Sequence, residues 1–348
     1  MNTTADTPAP IDLRSDTVTR PTAAMYERMQ QAPIGDDGLD GDPTVGELEA
    51  TVAAQLGKDA GLFVPSCTMA NLLAVLVHGA RNEQVVLEGA AHMFTSERGA
   101  ATFTGLFYLP VPGQAGAMDL NRLDELSQGG GHKLRTALIA VETSHNNAGG
   151  AVLPLAHLRS VQDIARHRGI PVHLDGARLF NAATALDVEP VEIARLAETV
   201  SVCLSKGLSA PVGAVLAGSQ RTVDRARVLR RMIGGTQRQA GIMAAAGLEA
   251  VQHMRARLAE DHARARQFSA QLNAAGLTVT ASSPQTNIVQ VDVRGSGRDS
   301  HGWVEALDAA GVRVRPWGSG LLRVVFHRHV GDADVAQAVA TFTRLAAR

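Results

Sequence analysis

Pro171-Val172-His173-Leu174-Asp175-Gly176-Ala177-Arg178 and, one apolar run later, Val200-Ser201-Val202-Cys203-Leu204-Ser205-Lys206-Gly207 decide how this chain is read. Each is a short β-rich run that stops at small residues carrying one or two charges. Runs of the same kind predict further strands over Gly61–Val64, Gln84–Glu88, Ala137–Glu142 and Gly213–Ala217, with the two quoted runs supplying Pro171–Leu174 and Val200–Leu204. Helical patterns at Met69–Val77 and Leu155–Arg168 fall between several of them. Apolar strands interleaved with amphipathic helices specify an α/β layer around a mostly parallel sheet. Ligands of such sheets sit beyond the carboxyl ends of the strands. Polar residues directly after an apolar run are therefore the first candidates for chemistry.

Asp175 ends one such run. A buried acid is costly unless it meets a cation or strong donors. A protonated pyridine nitrogen is one such cation, and Arg178 could hold a substrate carboxylate with two hydrogen bonds. An internal Asp–Arg pair is the competing reading. Lys206 follows the next run, where partial desolvation favours a neutral, nucleophilic amine. Standing alone it would be an exposed lysine in a strand–helix turn. The order acid, strand, lysine is the one a pyridoxal-phosphate site requires.

Pro65-Ser66-Cys67-Thr68 lies between a strand and a helix, where first-turn N–H groups and hydroxyls can bind phosphate or simply cap the helix. His92, beyond Gln84–Glu88, could stack on a ring, and His145 with Asn146 follows the strand ending at Glu142. For both histidines a hydrogen-bonded structural role is the alternative.

Composition excludes other classes. Net charge is −1, aromatics are 3% of the 348 residues, and no basic stripe offers a footprint for nucleic acid. The chain lacks GxxxxGK[ST], GxGxxG and GxSxG, and its twelve histidines form no HExxH. Neither they nor the cysteines show zinc spacing, so no metal is expected. Two cysteines without a CxxC fit a reducing compartment, the longest apolar stretch is too short for a membrane span, and a cytoplasmic location is expected. Residues 1–10 read as a disordered extension without a signal-peptide pattern.

Taken together, the motifs resemble the low-specificity L-threonine aldolases, in the aspartate-aminotransferase-like class of type I pyridoxal-phosphate enzymes. The resemblance runs from Ile11 to the C-terminus. Its marks are Asp12-Leu13-Arg14-Ser15-Asp16-Thr17-Val18-Thr19-Arg20-Pro21, Gly35-Asp36-Asp37, Asp42-Pro43-Thr44, Ala91-His92, Glu142-Thr143-Ser144-His145-Asn146, Asp175-Gly176-Ala177-Arg178, Leu204-Ser205-Lys206-Gly207-Leu208, Pro211-Val212-Gly213 and Gly234-Gly235-Thr236-Gln237-Arg238-Gln239-Ala240-Gly241.

That resemblance implies the type I pyridoxal-phosphate-dependent transferase fold: an α/β large domain over 11–250 and a smaller α+β domain over 251–348. It implies Lys206 as the Schiff-base lysine, Asp175 facing the pyridine nitrogen and His92 stacked on the ring. Cys67 and Thr68 would hold the phosphate, with Arg238 reaching it across a subunit boundary. Ser15, Arg178 and Arg323 would bind the substrate carboxylate, in a homotetramer with shared active sites. The implied reaction is retro-aldol cleavage of L-threonine or L-allo-threonine to glycine and an aldehyde. His92 and His145 are the base candidates, with His145, or a water it orients, preferred. A β-eliminating lyase with the same site is the alternative; an aminotransferase or a catalytically silent scaffold fits less well. Two positions depart from the family pattern: Leu39 stands where a tyrosine is common, and Cys67 where Ser-Gly-Thr is usual.

Overall fold

The computed structural model describes residues 9–97 and 99–347, so most of the expected extension, residues 1–8, lies outside the described residues. The chain divides into two compact units, one of Thr19–Ala259 and one in which the segment up to Val18 joins Glu260–Arg348. This differs from the expected ranges of 11–250 and 251–348. The physical reason lies in the smaller unit, where Ile11–Asp12 pairs in parallel with Val312–Arg313 and Val325 N–H donates to the Leu13 carbonyl.

The larger unit is built on seven strands: β1 (Ala60–Val64), β2 (Gln84–Glu88), β3 (Phe107–Val111), β4 (Thr136–Glu142), β5 (Val172–Gly176), β6 (Thr199–Cys203) and β7 (Ala214–Gly218). Their spatial order is β1-β7-β6-β5-β4-β2-β3. Only β7 runs against its neighbours; the β6–β5, β5–β4, β4–β2 and β2–β3 pairs are parallel. Side chains alternate across the sheet. Phe63, Val86, Ile139, Val141, Val172, Leu174, Val200 and Val202 join the main core on one face. Leu62 and Val64 join one second-face cluster, and Val85, Leu87, Leu138 and Ala140 another.

The helices that position the site begin with α1 (Ala23–Gln31) and α2 (Pro43–Leu56), then α3 (Cys67–His78). They continue with α4 (Leu155–Arg168), α5 (Leu179–Leu186), α6 (Gln220–Met232) and α7 (Gly241–His253). Asp42 caps α2: its Oδ1 accepts from Thr44 and Val45 N–H, Pro43 occupies the first turn, and Gly57 ends the helix at φ 62°. The Asp42 Oδ2 accepts from Gly35 N–H at 3.1 Å and Gly241 N–H at 2.9 Å, so one carboxylate ties a loop and the start of α7 to α2.

In the smaller unit, strands β8 (Thr280–Ala281), β9 (Ile288–Asp292), β10 (Arg315–Pro316) and β11 (Leu321–Val325) form an antiparallel sheet in the order β8-β9-β11-β10. Helices α8 (Ser300–Ala309) and α9 (Asp332–Ala346) pack Trp303 and Phe342 against it, beside Phe268. No helix among the described residues is long and apolar enough to cross a membrane.

Candidate active site

The carboxyl ends of the parallel strands gather the residues singled out by sequence. Asp175 is in register with Glu142 on β4 and Ser201 on β6. Cys203 closes β6 and Lys206 follows three residues later. His92 opens the short helix His92–Thr95 after β2, and α3 begins at Cys67 after β1. Ser66 caps α3 by accepting from Met69 N–H at 3.2 Å. The N–H groups of Cys67 and Thr68 then fall in the first turn, where no intrahelical acceptor exists and an anion is favoured.

The acids here are matched to imidazoles and amides. His92 N–H donates to Glu142 Oε2 at 2.6 Å, while its Nδ1 lies 2.8 Å from Glu97 Oε1. The hydrogen bond to Glu97 raises the His92 imidazole above its ordinary value, against the opposing effect of burial. Burial pushes the Glu142 carboxyl up, although His145 and two backbone donors act the other way. Asp175, 3% exposed, accepts from Asn71 Nδ2 at 3.0 Å and from Ala177 N–H at 3.1 Å. Ligand atoms of His92, Glu97 and Asp175 lie within 4.8 Å of one another, so an imidazole stands beside the strand-end acid.

Lys206 is half-buried, and its carbonyl accepts from Thr19 Oγ1 at 2.9 Å. Its positive charge acts to lower the pKa of both the Cys67 and Cys203 thiols. Arg178 is 6% exposed and donates through Nη1 to Asn146 Oδ1 at 3.2 Å.

The two base candidates, His145 (or a water it orients) and His92, have different surroundings. The His145 ring is 0% exposed, with Nε2 3.0 Å from Glu88 Oε2 and Nδ1 accepting from Ala148 N–H at 3.2 Å. In that neutral tautomer both nitrogens are committed, leaving none for substrate. Burial opposes charging of His145, but the bond to Glu88 and the charges of Glu142, Glu88 and Asp175 outweigh it and raise the imidazole's pKa. His92 differs: among the described residues its Nε2 makes no hydrogen bond, and its side chain is 36% exposed.

Three further expected residues have surroundings of their own. Arg238 has a side chain 64% exposed and lies 3.5 Å from Asp36. Ser15 and Arg323 belong to the other unit. There the Ser15 Oγ accepts from Thr17 N–H and hydroxyl, and the Arg323 guanidinium lies over the Trp317 ring at 4.8 Å.

Asn71, His173, Thr199 and Ser201 were given no role from sequence, yet Asn71 donates to Asp175, Ser201 and His173 are hydrogen-bonded to Asn71, and Thr199 to His173. A signal was available. In His173-x-Asp175 and Thr199-x-Ser201-x-Cys203, every second residue is polar or small on strands otherwise built of Val and Leu. Two central strands thus carry a polar stripe on the face that meets α3.

The residues fit pyridoxal phosphate. A buried strand-end carboxylate, an imidazole beside it, a half-buried lysine and a helix N-terminus are the donor set the cofactor's ring nitrogen, ring face, aldehyde and phosphate require.

Residues 12–296 match the family described as beta-eliminating lyase. Low-specificity L-threonine aldolase 1 of Arabidopsis thaliana is 38% identical over 340 residues, covering 95% of this chain and 95% of that protein. The low specificity L-threonine aldolase of Escherichia coli K12 is 39% identical over 342 residues, covering 97% of this chain and 100% of its own. Among solved structures, Leishmania major threonine aldolase superposes with a TM-score of 0.82 at 17% identity, over 97% of this chain and 100% of that one. Sphingomonas wittichii serine palmitoyltransferase does so at 0.76 and 15% identity, over 97% and 87%. These two likenesses establish the shared fold, an α/β architecture of the type I class.

Proposed function

The chain belongs to the low-specificity L-threonine aldolase family, and from that premise we propose that it binds pyridoxal 5'-phosphate and cleaves L-threonine and L-allo-threonine to glycine and acetaldehyde. The observation that carries this reading is that His92 stands beside Asp175 at the carboxyl end of a central strand, with Lys206 following the end of the neighbouring strand.

When bound, the cofactor supplies an electron sink for the carbon–carbon bond that breaks. Lys206 would hold the aldehyde carbon, and Asp175 would face the ring nitrogen. The His92 imidazole would lie against the ring, with Cys67 and Thr68 N–H and the Thr68 hydroxyl on the phosphate. Arg178 would bind the substrate carboxylate; the same role for Ser15 and Arg323 rests on the resemblance. Because Nδ1 of His92 is tied to Glu97, its Nε2 is left to take the proton from the substrate hydroxyl. His145 would act through Glu142 and Glu88, keeping the acids around His92 in place.

A homotetramer is proposed as well, with Arg238 reaching the phosphate of a neighbouring copy. Large exposed apolar side chains support it: Tyr26, Ile34, Leu39, Val228 and Met232 are each at least half exposed. A cytoplasmic location is proposed from the two free cysteines. Lys206→Ala tests the central assignment: the variant is expected to lose threonine cleavage by at least about a thousandfold while remaining folded. Retained turnover would refute the role of Lys206.

A further inference from the structure

A directed chain of hydrogen bonds ends on Asp175. His173 is 0% exposed, and burial pushes its imidazole down to about 4, so it is neutral near neutral pH. A neutral imidazole has one N–H and one lone pair. Its Nε2 lies 3.1 Å from Asn71 Oδ1 and its Nδ1 3.0 Å from Thr199 Oγ1.

The Asn71 amide has only one orientation that works. One end faces carboxylates, with Asp175 Oδ2 at 3.0 Å and Glu97 oxygens at 3.3 and 3.4 Å, and must be the nitrogen. The other end is then the carbonyl, which accepts from Ser201 Oγ at 2.8 Å and from His173. An amide oxygen cannot donate, so Nε2 of His173 carries the ring hydrogen and Nδ1 accepts the Thr199 hydroxyl proton. The Thr199 oxygen in turn accepts from His78 Nε2 at 3.3 Å, and burial pushes the His78 imidazole down to about 4 as well. Every donor from His78 through Thr199, His173 and Asn71 points towards Asp175.

Asp175 is held at both oxygens, Oδ2 by Asn71 and Oδ1 by Ala177 N–H. A donor to a carboxylate is worth more than a neutral hydrogen bond, and a buried carboxylate that loses one is left with an uncompensated charge. All the hydrogen-bonding positions of Asn71 are used, so the amide cannot turn without placing an oxygen against Asp175.

We propose that Asn71, held in one orientation by His173, is a positioning residue that fixes the Asp175 carboxylate towards the cofactor's ring nitrogen. The proposal rests on the reading of Asp175 as the partner of that nitrogen.

The test uses the full chain, stripped of cofactor and titrated with pyridoxal 5'-phosphate carrying 15N in the ring. Binding is read from the titration, and ring protonation from the 15N chemical shift. Asn71→Ala and His173→Leu are expected to bind the cofactor about tenfold more weakly, the scale of one charge-assisted hydrogen bond, and to move the shift away from its wild-type position. His173→Gln, whose amide can still donate to Asn71, should return both towards wild type. Wild-type affinity and shift in Asn71→Ala and His173→Leu, with both altered in Asp175→Asn, would overturn the proposal and leave the Asp175 reading standing. No change in Asp175→Asn would overturn the reading and the proposal together. Thermal melting of each apo variant separates these outcomes from misfolding, and if Asn71→Ala does not fold, His173→Leu decides.

Discussion

His145 Nε2 lies 3.0 Å from Glu88 Oε2, with the histidine side chain fully enclosed and the glutamate side chain 7% exposed. Gly116, at φ 85°, lies so close that an added Cβ would sit 2.6 Å from His145 Cδ2. The pair is packed as well as hydrogen-bonded. Removing one partner strands a buried polar group, which costs about 3 kcal/mol. His145→Phe and Glu88→Leu should each destabilise by roughly that amount in urea denaturation, and the double variant should lose clearly less than their sum. Additive losses would show that the two do not act as a unit.

Much of this was legible in the sequence. Gln84–Glu88 and Leu155–Arg168 have the expected bounds, and Asp175 and Lys206 lie at or just beyond the carboxyl ends of adjacent strands, because apolar runs with turn residues after them carry a strong local signal. Strand β3 was not assigned. Its sequence Phe-Tyr-Leu-Pro-Val includes a proline that cannot donate to a ladder, which is tolerated because β3 is an edge strand paired only with β2. The Asp42-Pro43 start of α2 was a readable cap. The pairing of Asn71 with Asp175 was not readable as a contact, since 104 positions separate them and only the packing of α3 on the sheet brings them together. The Glu88 and Ala148 partners of the His145 ring were unreadable for the same reason, since they are set by tertiary structure.

Acid sensitivity follows from the buried imidazoles. His173 and His78 have their pKa values lowered from 6.5 to about 4 by burial. Between those values the unfolded chain binds protons that the folded chain does not, so stability rises with pH across that window. Unfolding free energy should therefore fall as pH drops from about 6.5 towards 4, by up to about 3 kcal/mol for His173 alone. The raised imidazoles of His92 and His145 act in the opposite sense: their contribution is complete below 6.5 and is lost as pH climbs through their folded values. Denaturant melts at a series of pH values, compared with His173→Gln, separate the two. A variant as acid-sensitive as the parent would contradict the assignment to His173.

Asp42, the buried cap of α2, should be a strong stability determinant. Its carboxylate accepts from Thr44, Val45, Gly35 and Gly241 N–H. Asp42→Ala removes a helix cap and two further charge-assisted bonds and should cost about 2–4 kcal/mol. Gly241→Ala should also destabilise, because its Cβ would fall 2.4 Å from Asp42 Oδ1. Calorimetric melting of both checks this, and parent-like melting in Asp42→Ala would refute it.

Cys67 should matter little to phosphate binding. Its thiol lies 3.5 Å from Ser201 Oγ, a weak contact, whereas the backbone N–H offered to a phosphate is independent of the side chain. Cys67→Gly should change the dissociation constant for pyridoxal phosphate by less than about threefold, since one weak sulfur contact is worth well under 1 kcal/mol. A larger shift, measured by fluorescence titration, would give the side chain a role of its own.

The most direct measurement incubates the purified, pyridoxal-phosphate-loaded protein separately with L-threonine and L-allo-threonine. Glycine, acetaldehyde, ammonia and 2-keto acids are then quantified. The account predicts glycine and acetaldehyde in equal amounts from at least one isomer. Ammonia together with a 2-keto acid, and no glycine, would contradict it and make the chain an eliminating lyase.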